Sequence, residues 1–238
     1  MQNVTINDLR SILIGTELGG LIARAYKVSL AVPHSMRGKE RGRNSSGFSF
    51  GIVQLDIGNN SFAQRAYADI LSAAVKAAII TPTWQQHLLR YNKLKRPDLD
   101  DFLGSAYQAD MDFLNEKLFA LDETRDIIER YTSDYLAQSL QSSVNDFLSA
   151  MQSNWGEQTV FQESNPDCPL ALSAIVSISN RTGGLNGSTT YFLQHQPVDL
   201  AAVKKRYMAV LGDHWSLVER GANTLTTARQ VAAILKNS

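Results

Sequence analysis

A short run of glycine, phenylalanine and β-branched residues interrupts a chain whose other apolar patterns are nearly all helical. This run, Gly47–Ile57, alternates loosely between apolar and polar side chains, and the turn-forming triplet Gly58-Asn59-Asn60 follows it. Such a segment favours a strand or a hairpin. The sequence therefore predicts a mainly α fold (α+β), in which one short β-hairpin interrupts the helices.

Apolar residues at helical spacing predict helices on both sides of that segment. Ile6, Leu9 and Leu13 mark the first helix, with Thr5 or Asn7 as its N-cap. Further helices are expected over about 62–80, 83–94, 99–118, 127–151, 166–178, 188–193, 199–211 and 223–235. Because no repeat or long linker divides the chain, we expect one domain, 1–238, with a small lobe over about 1–60 and a larger helical lobe over about 61–238.

Composition limits the classes of function. Twenty-three Lys and Arg balance twenty-three Asp and Glu, which argues against a general nucleic-acid binder. The chain has no run of 18 apolar residues, so no membrane span is expected. The single cysteine, Cys168, excludes an internal disulfide, and the four histidines lack metal-ligand spacing. We therefore expect neither a metal nor a cofactor.

Glu17 is the strongest candidate for a catalytic group. It follows Leu13 by four residues, and so it extends the apolar face of the first predicted helix. Glycosidic bond cleavage usually needs a protonated carboxyl group, and a position beside the core favours the protonated form. Gly15, Gly19 and Gly20 surround Glu17 in the sequence and leave room for a sugar to approach. The sequence thus predicts Glu17 as a general acid.

Three segments together resemble the phage-type lysozymes. They are Thr16-Glu17, then Ala25-Tyr26-Lys27, then Gly47-Phe48-Ser49-Phe50-Gly51. The resemblance implies a lysozyme-like fold in which Glu17 is the catalytic acid. It also implies that Ser49 replaces the family's threonine, whose hydroxyl holds the attacking water.

The hairpin segment is also similar to a second branch of the superfamily. Ser49-Phe50-Gly51-Ile52-Val53-Gln54 has the Ser-x-Gly-x-x-Gln pattern of goose-type lysozymes and lytic transglycosylases. This resemblance implies that Ser49 and Gln54 shape the substrate cleft. Tyr26, from the preceding motif, is expected to contact substrate as well.

A third similarity to the phage-type enzymes lies far downstream. Ile175–Asn180 is followed by Arg181-Thr182-Gly183 and then by Gly187-Ser188-Thr189, as in a helix, turn and helix start of their larger lobe. The resemblance therefore covers about 5–57 and 170–193, and the helical stretch in the middle of the chain matches no motif.

The chain departs from the phage-type pattern at the second carboxylate. The aspartate expected after Tyr26-Lys27 is absent, because Val28 and Ser29 occupy those positions. Asp56 would share a strand face with Gln54 if the strand is regular, and Glu40 lies in the preceding polar loop. We favour Asp56 over Glu40 as the replacement. Goose-type enzymes imply that a second carboxylate is not obligatory.

These observations predict a glycoside hydrolase that cleaves the β-1,4 linkage of bacterial peptidoglycan, as an endolysin or antibacterial effector. Hydrolysis is favoured over lytic transglycosylation. A cognate immunity or inhibitor protein is an expected partner. The N-terminus lacks a secretory signal, so we expect synthesis in the cytoplasm and action in the periplasm or on the cell wall after export or lysis. The alternatives are a chitosanase- or chitinase-like glycosidase, a non-catalytic glycan-binding protein, and an unrelated helical interaction protein.

Overall fold

The computed structural model of the chain describes residues 3–30, 46–95, 98–99, 104, 106–195 and 198–237. It confirms a mainly helical protein with a small three-stranded antiparallel sheet. Among the described helices, none has both the length and the apolar character needed to cross a membrane.

The elements follow one another in this order. The chain begins with α1 (Ile6–Leu18), a 3₁₀ turn (Ile22–Tyr26) and the strands β1 (Ser29–Leu30), β2 (Phe48–Phe50) and β3 (Leu55–Asp56). The helices that follow are α2 (Ser61–Lys76), α3 (Pro82–Leu89), α4 (Ala106–Phe113), α5 (Asp122–Tyr135), α6 (Gln141–Trp155), α7 (Cys168–Thr182), α8 (Asn186–Gln194), α9 (Leu200–Leu211) and α10 (Trp215–Asn237). Single π-helical turns, Leu114–Leu118 and Leu136–Leu140, extend α4 and join α5 to α6.

Helix α1 forms as the sequence predicts. The Thr5 side chain accepts a hydrogen bond from the Asp8 backbone N–H, and the Asp8 side chain accepts one from the Thr5 backbone N–H, which completes a capping box. The helix ends at Gly19, whose φ of 63° is the left-handed conformation that glycine adopts most readily. These two caps fix the position of Glu17 one residue before the end of the helix.

The chain divides into two compact units. One comprises Met1–Ile22 with Asp134–Ser238, and the other comprises Ala23–Ser133. The chain passes from one unit to the other after Ile22 and within α5. The organisation as one domain with a lobe boundary near residue 60 stays a prediction. Residues 1–22 group with the C-terminal helices because α1 packs against α10 and α7.

A close helix crossing forms the centre of the first unit. A Cβ atom added to Gly15 of α1 would lie 2.6 Å from both the Arg220 carbonyl oxygen and the Gly221 Cα of α10. Gly221 is equally confined, since its added Cβ would lie 2.4 Å from the Ser173 hydroxyl of α7. Glycines at both positions therefore let α1 and α10 approach at backbone contact distance and let the Ser173 side chain of α7 pack directly against α10.

The second unit contains the sheet. β2 lies in the middle and pairs antiparallel with β1 and β3, so that Ser49 is opposite both Ser29 and Asp56. Phe48 and Phe50 are fully buried. The Phe50 ring meets Phe119 edge-to-face at a centroid distance of 5.4 Å, which anchors the strand to the helical part of this unit.

Several helix starts differ from prediction, among them that of α5, which begins at Asp122 instead of near 127, and the causes are visible at α7 and α10. α7 begins at Cys168, because Asn165 forms a turn in which its side chain and its carbonyl accept the N–H groups of Asp167 and Cys168. α10 begins at Trp215, eight residues before the predicted start. Gly221 weakens the sequence signal for this helix, but a glycine is what its contact with α1 requires.

Gly15→Ala should destabilise the protein by about 1–3 kcal/mol, because the new methyl group meets backbone atoms of α10 that cannot rotate away. Urea unfolding measures the change. Gly187→Ala in α8 is the matched control, since its Cβ would contact only the flexible end of Arg206, at 3.1 Å. Equal stabilities of the two variants would contradict the close crossing.

Candidate functional site

Glu17 is held by an arginine from a distant part of the sequence. Arg181, in the last turn of α7, donates from Nε to Glu17 Oε1 at 3.2 Å and from Nη2 to Oε2 at 3.1 Å. The Glu17 side chain is only 7% exposed, whereas that of Arg181 is 31% exposed. This two-point geometry fixes the orientation of the carboxyl group.

The electrostatics of the pair involve a third residue. Burial alone would lower the pKa of Arg181, but the charge of Glu17 and its hydrogen bond outweigh that effect and raise the pKa. Burial also raises the pKa of Tyr207 in α9, and the nearby Arg181 charge partly offsets the rise. Glu17, Arg181 and Tyr207 thus form one electrostatic cluster inside the first unit.

Two pockets of the first unit flank the elements that carry this pair. A pocket of about 490 Å³ lies along α1 and α10, and Gly19, Gly20 and Asn223 are among its lining residues. A second pocket, of about 620 Å³, follows α6 and the turn after α7. Serine, threonine and amide side chains dominate the second pocket: Gln138, Ser139, Ser142, Ser143, Asn186, Thr189 and Thr190. We call this second pocket the hydroxyl groove.

Ser49 lies in the middle strand of the sheet. It is 3% exposed, its backbone pairs with those of Ser29 and Asp56, and its carbonyl oxygen is 3.5 Å from the Ser29 hydroxyl. Such burial leaves little of the side chain for a water or a sugar. Its water-holding role stays a prediction.

Gln54 occupies the turn before β3. Its φ of 53° is unusual for a residue other than glycine, and its Nε2 donates to the Gly51 carbonyl at 3.3 Å. Because Gln54 precedes the strand, the face that it was expected to share with Asp56 does not exist. The side chain stabilises the turn, and its contribution to a cleft stays a prediction.

Asp56 fastens the ends of the hairpin. Its Oδ1 accepts the backbone N–H groups of Gly47 and Gly58, each at 2.8 Å, and its Oδ2 accepts the Asn59 side-chain amide at 2.8 Å. A carboxylate with three such donors has a structural task that the sequence alone did not reveal. Its role as the second catalytic carboxylate stays a prediction.

The two remaining predicted residues have different outcomes. The Tyr26 hydroxyl donates to Glu129 Oε1 at 2.8 Å, and the Arg125 guanidinium lies 5.6 Å from the centre of the Tyr26 ring. These contacts do not test the predicted contact of Tyr26 with substrate, which stays a prediction. Glu40 lies outside the described residues.

The structure brings together Ser49 and Asp56 as cross-strand neighbours in the second unit, whereas Glu17 belongs to the first. The partner that sequence reasoning missed is Arg181. A usable signal existed, because Arg181 follows the apolar run of α7 and precedes the helix-ending Gly183. A charged side chain at that point requires either solvent or an opposite charge.

Comparisons with protein-family models, with curated proteins and with solved structures find no match to this chain. Across the described residues, no group of three or more His, Cys, Asp and Glu side chains is arranged to hold a metal ion.

Asp56→Ala should lower the free energy of unfolding by about 2 kcal/mol or more, because three hydrogen-bond donors lose a charged acceptor. Urea unfolding checks this. The control is Asp112→Ala, which removes an exposed carboxylate with one side-chain partner, Gln108, and should change stability by about 0.5 kcal/mol or less. Similar losses in both variants would contradict the fastening role.

Proposed function

We propose that this protein is a glycoside hydrolase that cleaves the β-1,4 linkage of bacterial peptidoglycan, with Glu17 as the general acid. The observation that carries the proposal is the position of Glu17, a nearly buried carboxyl group at the end of α1 that Arg181 holds at two points. Enzymes commonly fix a reacting group in this way through residues that are themselves held in place.

The hydroxyl groove supports a carbohydrate as the substrate class. Gly183 and Gly184, which line this groove, follow Arg181 by two and three residues. Hydroxyl and amide side chains both donate and accept hydrogen bonds, which matches the mixed donors and acceptors of a glycan. The same unit therefore carries both the proposed acid and a pocket with polar character suited to sugars.

Proton transfer from Glu17 requires a change at Arg181. A guanidinium donates hydrogen bonds and accepts none, so both Glu17 oxygens act as acceptors in this arrangement. A general acid must instead carry a proton on one oxygen and place it within hydrogen-bond reach of the leaving oxygen. Substrate binding would therefore replace one Arg181 hydrogen bond while the other keeps the carboxyl group oriented. Asp56 and Ser49 remain the predicted second group and water-holding residue.

A non-catalytic glycan-binding protein is the second candidate. The observation that favours it is the same ion pair, because a carboxylate engaged at both oxygens has no proton to donate. Product analysis separates the candidates: a hydrolase releases reducing sugar ends from purified peptidoglycan, a lytic transglycosylase releases 1,6-anhydro ends, and a binding protein releases neither. Parallel assays on chitin and chitosan test the alternative glycan substrates.

Glu17→Gln should reduce the release of reducing ends from peptidoglycan by about 100-fold or more, because the amide cannot donate the proton that the leaving oxygen needs. The matched control is Arg181→Gln, which breaks the same ion pair but keeps the carboxyl group. We expect this control to be at least about tenfold more active than Glu17→Gln.

Circular dichroism and urea unfolding of both variants account for any loss of folded protein. Equal activity losses in the two variants would assign Glu17 a structural role only. Activity of Glu17→Gln above about a tenth of wild type would overturn its assignment as the acid.

A further inference from the structure

Trp84 differs from the other two tryptophans of the chain. It is 41% exposed on α3, whereas Trp215 is buried and Trp155 is partly buried. Its ring stacks on Phe113 at a centroid distance of 5.2 Å with a 25° interplanar angle, and it meets the His87 ring edge-on at 4.9 Å. An indole fixed from below and from one side is a rigid apolar platform at the surface.

His87, which borders this platform, belongs to a polar network centred on Asp110. His87 Nε2 lies 2.8 Å from Asp110 Oδ2, and Arg90 Nη2 donates to the same oxygen at 3.3 Å. The Tyr91 hydroxyl also donates to Asp110 Oδ2. Because one largely buried carboxylate oxygen holds all three side chains, His87 is fixed beside the indole and Arg90 is fixed next to His87 on the same carboxylate.

The network leaves hydrogen-bonding capacity on its outer side. The contact with Asp110 engages Nε2 of His87, so Nδ1 is left for a further hydrogen bond. In the described part of the chain, Nδ1 of His87 has no hydrogen-bond partner. Arg90 uses only Nη2 for its bonds to Tyr91 and Asp110, so the other guanidinium nitrogens still carry donors. His87 and Arg90 are both partly exposed.

Tyr91 stays a donor over the physiological pH range. Burial, together with its hydrogen bond to Asp110, raises the pKa of Tyr91 to about 12. Tyr91 therefore stays protonated below strongly alkaline pH, and the network that positions His87 and Arg90 keeps this hydrogen bond.

We propose that Trp84, His87 and Arg90 form a binding site for a β-1,4-linked amino-sugar glycan, separate from the Glu17 pair. In such sugars the ring substituents are mostly equatorial, so one flat face presents C–H groups and the rim presents hydroxyls and amides. The flat face fits the indole of Trp84, and the hydroxyls and amides of the rim fit Nδ1 of His87 and the Arg90 donors. The choice of an amino-sugar glycan rests on the proposed function.

The surface formed by Trp84, His87 and Arg90 favours a sugar over a protein partner because of its composition. Among the described residues of α3 and α4, the large apolar side chain that is exposed is Trp84, and an imidazole borders its ring. A stable protein interface needs a much broader apolar centre that excludes water. A planar ring beside fixed donors and acceptors is instead the size of one or two sugar units.

The test measures binding to the β-1,4-linked N-acetylglucosamine tetramer by isothermal titration calorimetry, in a Glu17→Gln background so that no sugar is consumed. Trp84→Ala should weaken binding by about tenfold, a change of about 1.4 kcal/mol, and Trp84→Phe should retain most of the affinity because the platform persists. The matched control, Trp155→Phe, should bind like its parent. Maltotetraose, an α-1,4-linked glucose tetramer, should bind at least about tenfold more weakly than the amino-sugar tetramer.

Three outcomes would overturn the inference: no detectable binding by the parent, equal affinity of Trp84→Ala and parent, or equal affinity for the two tetramers. Failure of the proposed function gives a different pattern. In that case the wild-type protein releases no new sugar ends from peptidoglycan, whereas it still binds the tetramer in a way that depends on Trp84. The opposite pattern is also distinct. If Glu17→Gln abolishes cleavage but Trp84→Ala does not change binding, the proposed function is supported and the Trp84 site is refuted.

Discussion

The contact of α1 with α7 and α10 is the interaction on which the first unit depends. It joins three segments that are far apart in the sequence, and it forms only because Gly15 and Gly221 carry no side chains at the crossing. The same contact places the end of α1 beside the end of α7. The Glu17–Arg181 pair is therefore a consequence of how closely these helices pack, since a wider spacing would leave the carboxyl group out of reach of the guanidinium.

The Glu17–Arg181 ion pair both stabilises the proposed site and constrains its chemistry. A nearly buried carboxylate without a partner would be unfavourable, so Arg181 both stabilises the fold and orients Glu17. A catalytic acid must leave part of that arrangement each time it transfers a proton. The comparison of Glu17 with Arg181 is informative because the two side chains share one structural interaction but only Glu17 is proposed as the general acid.

The hairpin shows that a residue predicted from the sequence to be catalytic can have a structural role. Asp56 was the favoured second carboxylate because of its spacing from Gln54, yet its oxygens accept two backbone N–H groups and one side-chain amide. Spacing along a strand indicates which residues share a face, but it does not show which donors the neighbouring turns present. The Asp110 network is the converse case, because no motif in the sequence draws attention to it.

The sequence by itself determined the local structure: the capped helix α1, the hairpin after Gly47, and most of the later helices follow from periodicity, N-caps and glycine turns. Helix starts at Cys168 and Trp215 escaped prediction because an Asn165 turn and the packing of Gly221 decided them. Tertiary structure alone decided that residues 1–22 group with the C-terminal helices, that Arg181 pairs with Glu17 and that Trp84 is exposed beside His87. The physical reason is that local patterns record only interactions over a few residues, whereas charge pairing and burial depend on contacts between segments far apart in the sequence, as with the 164 residues that separate Glu17 from Arg181.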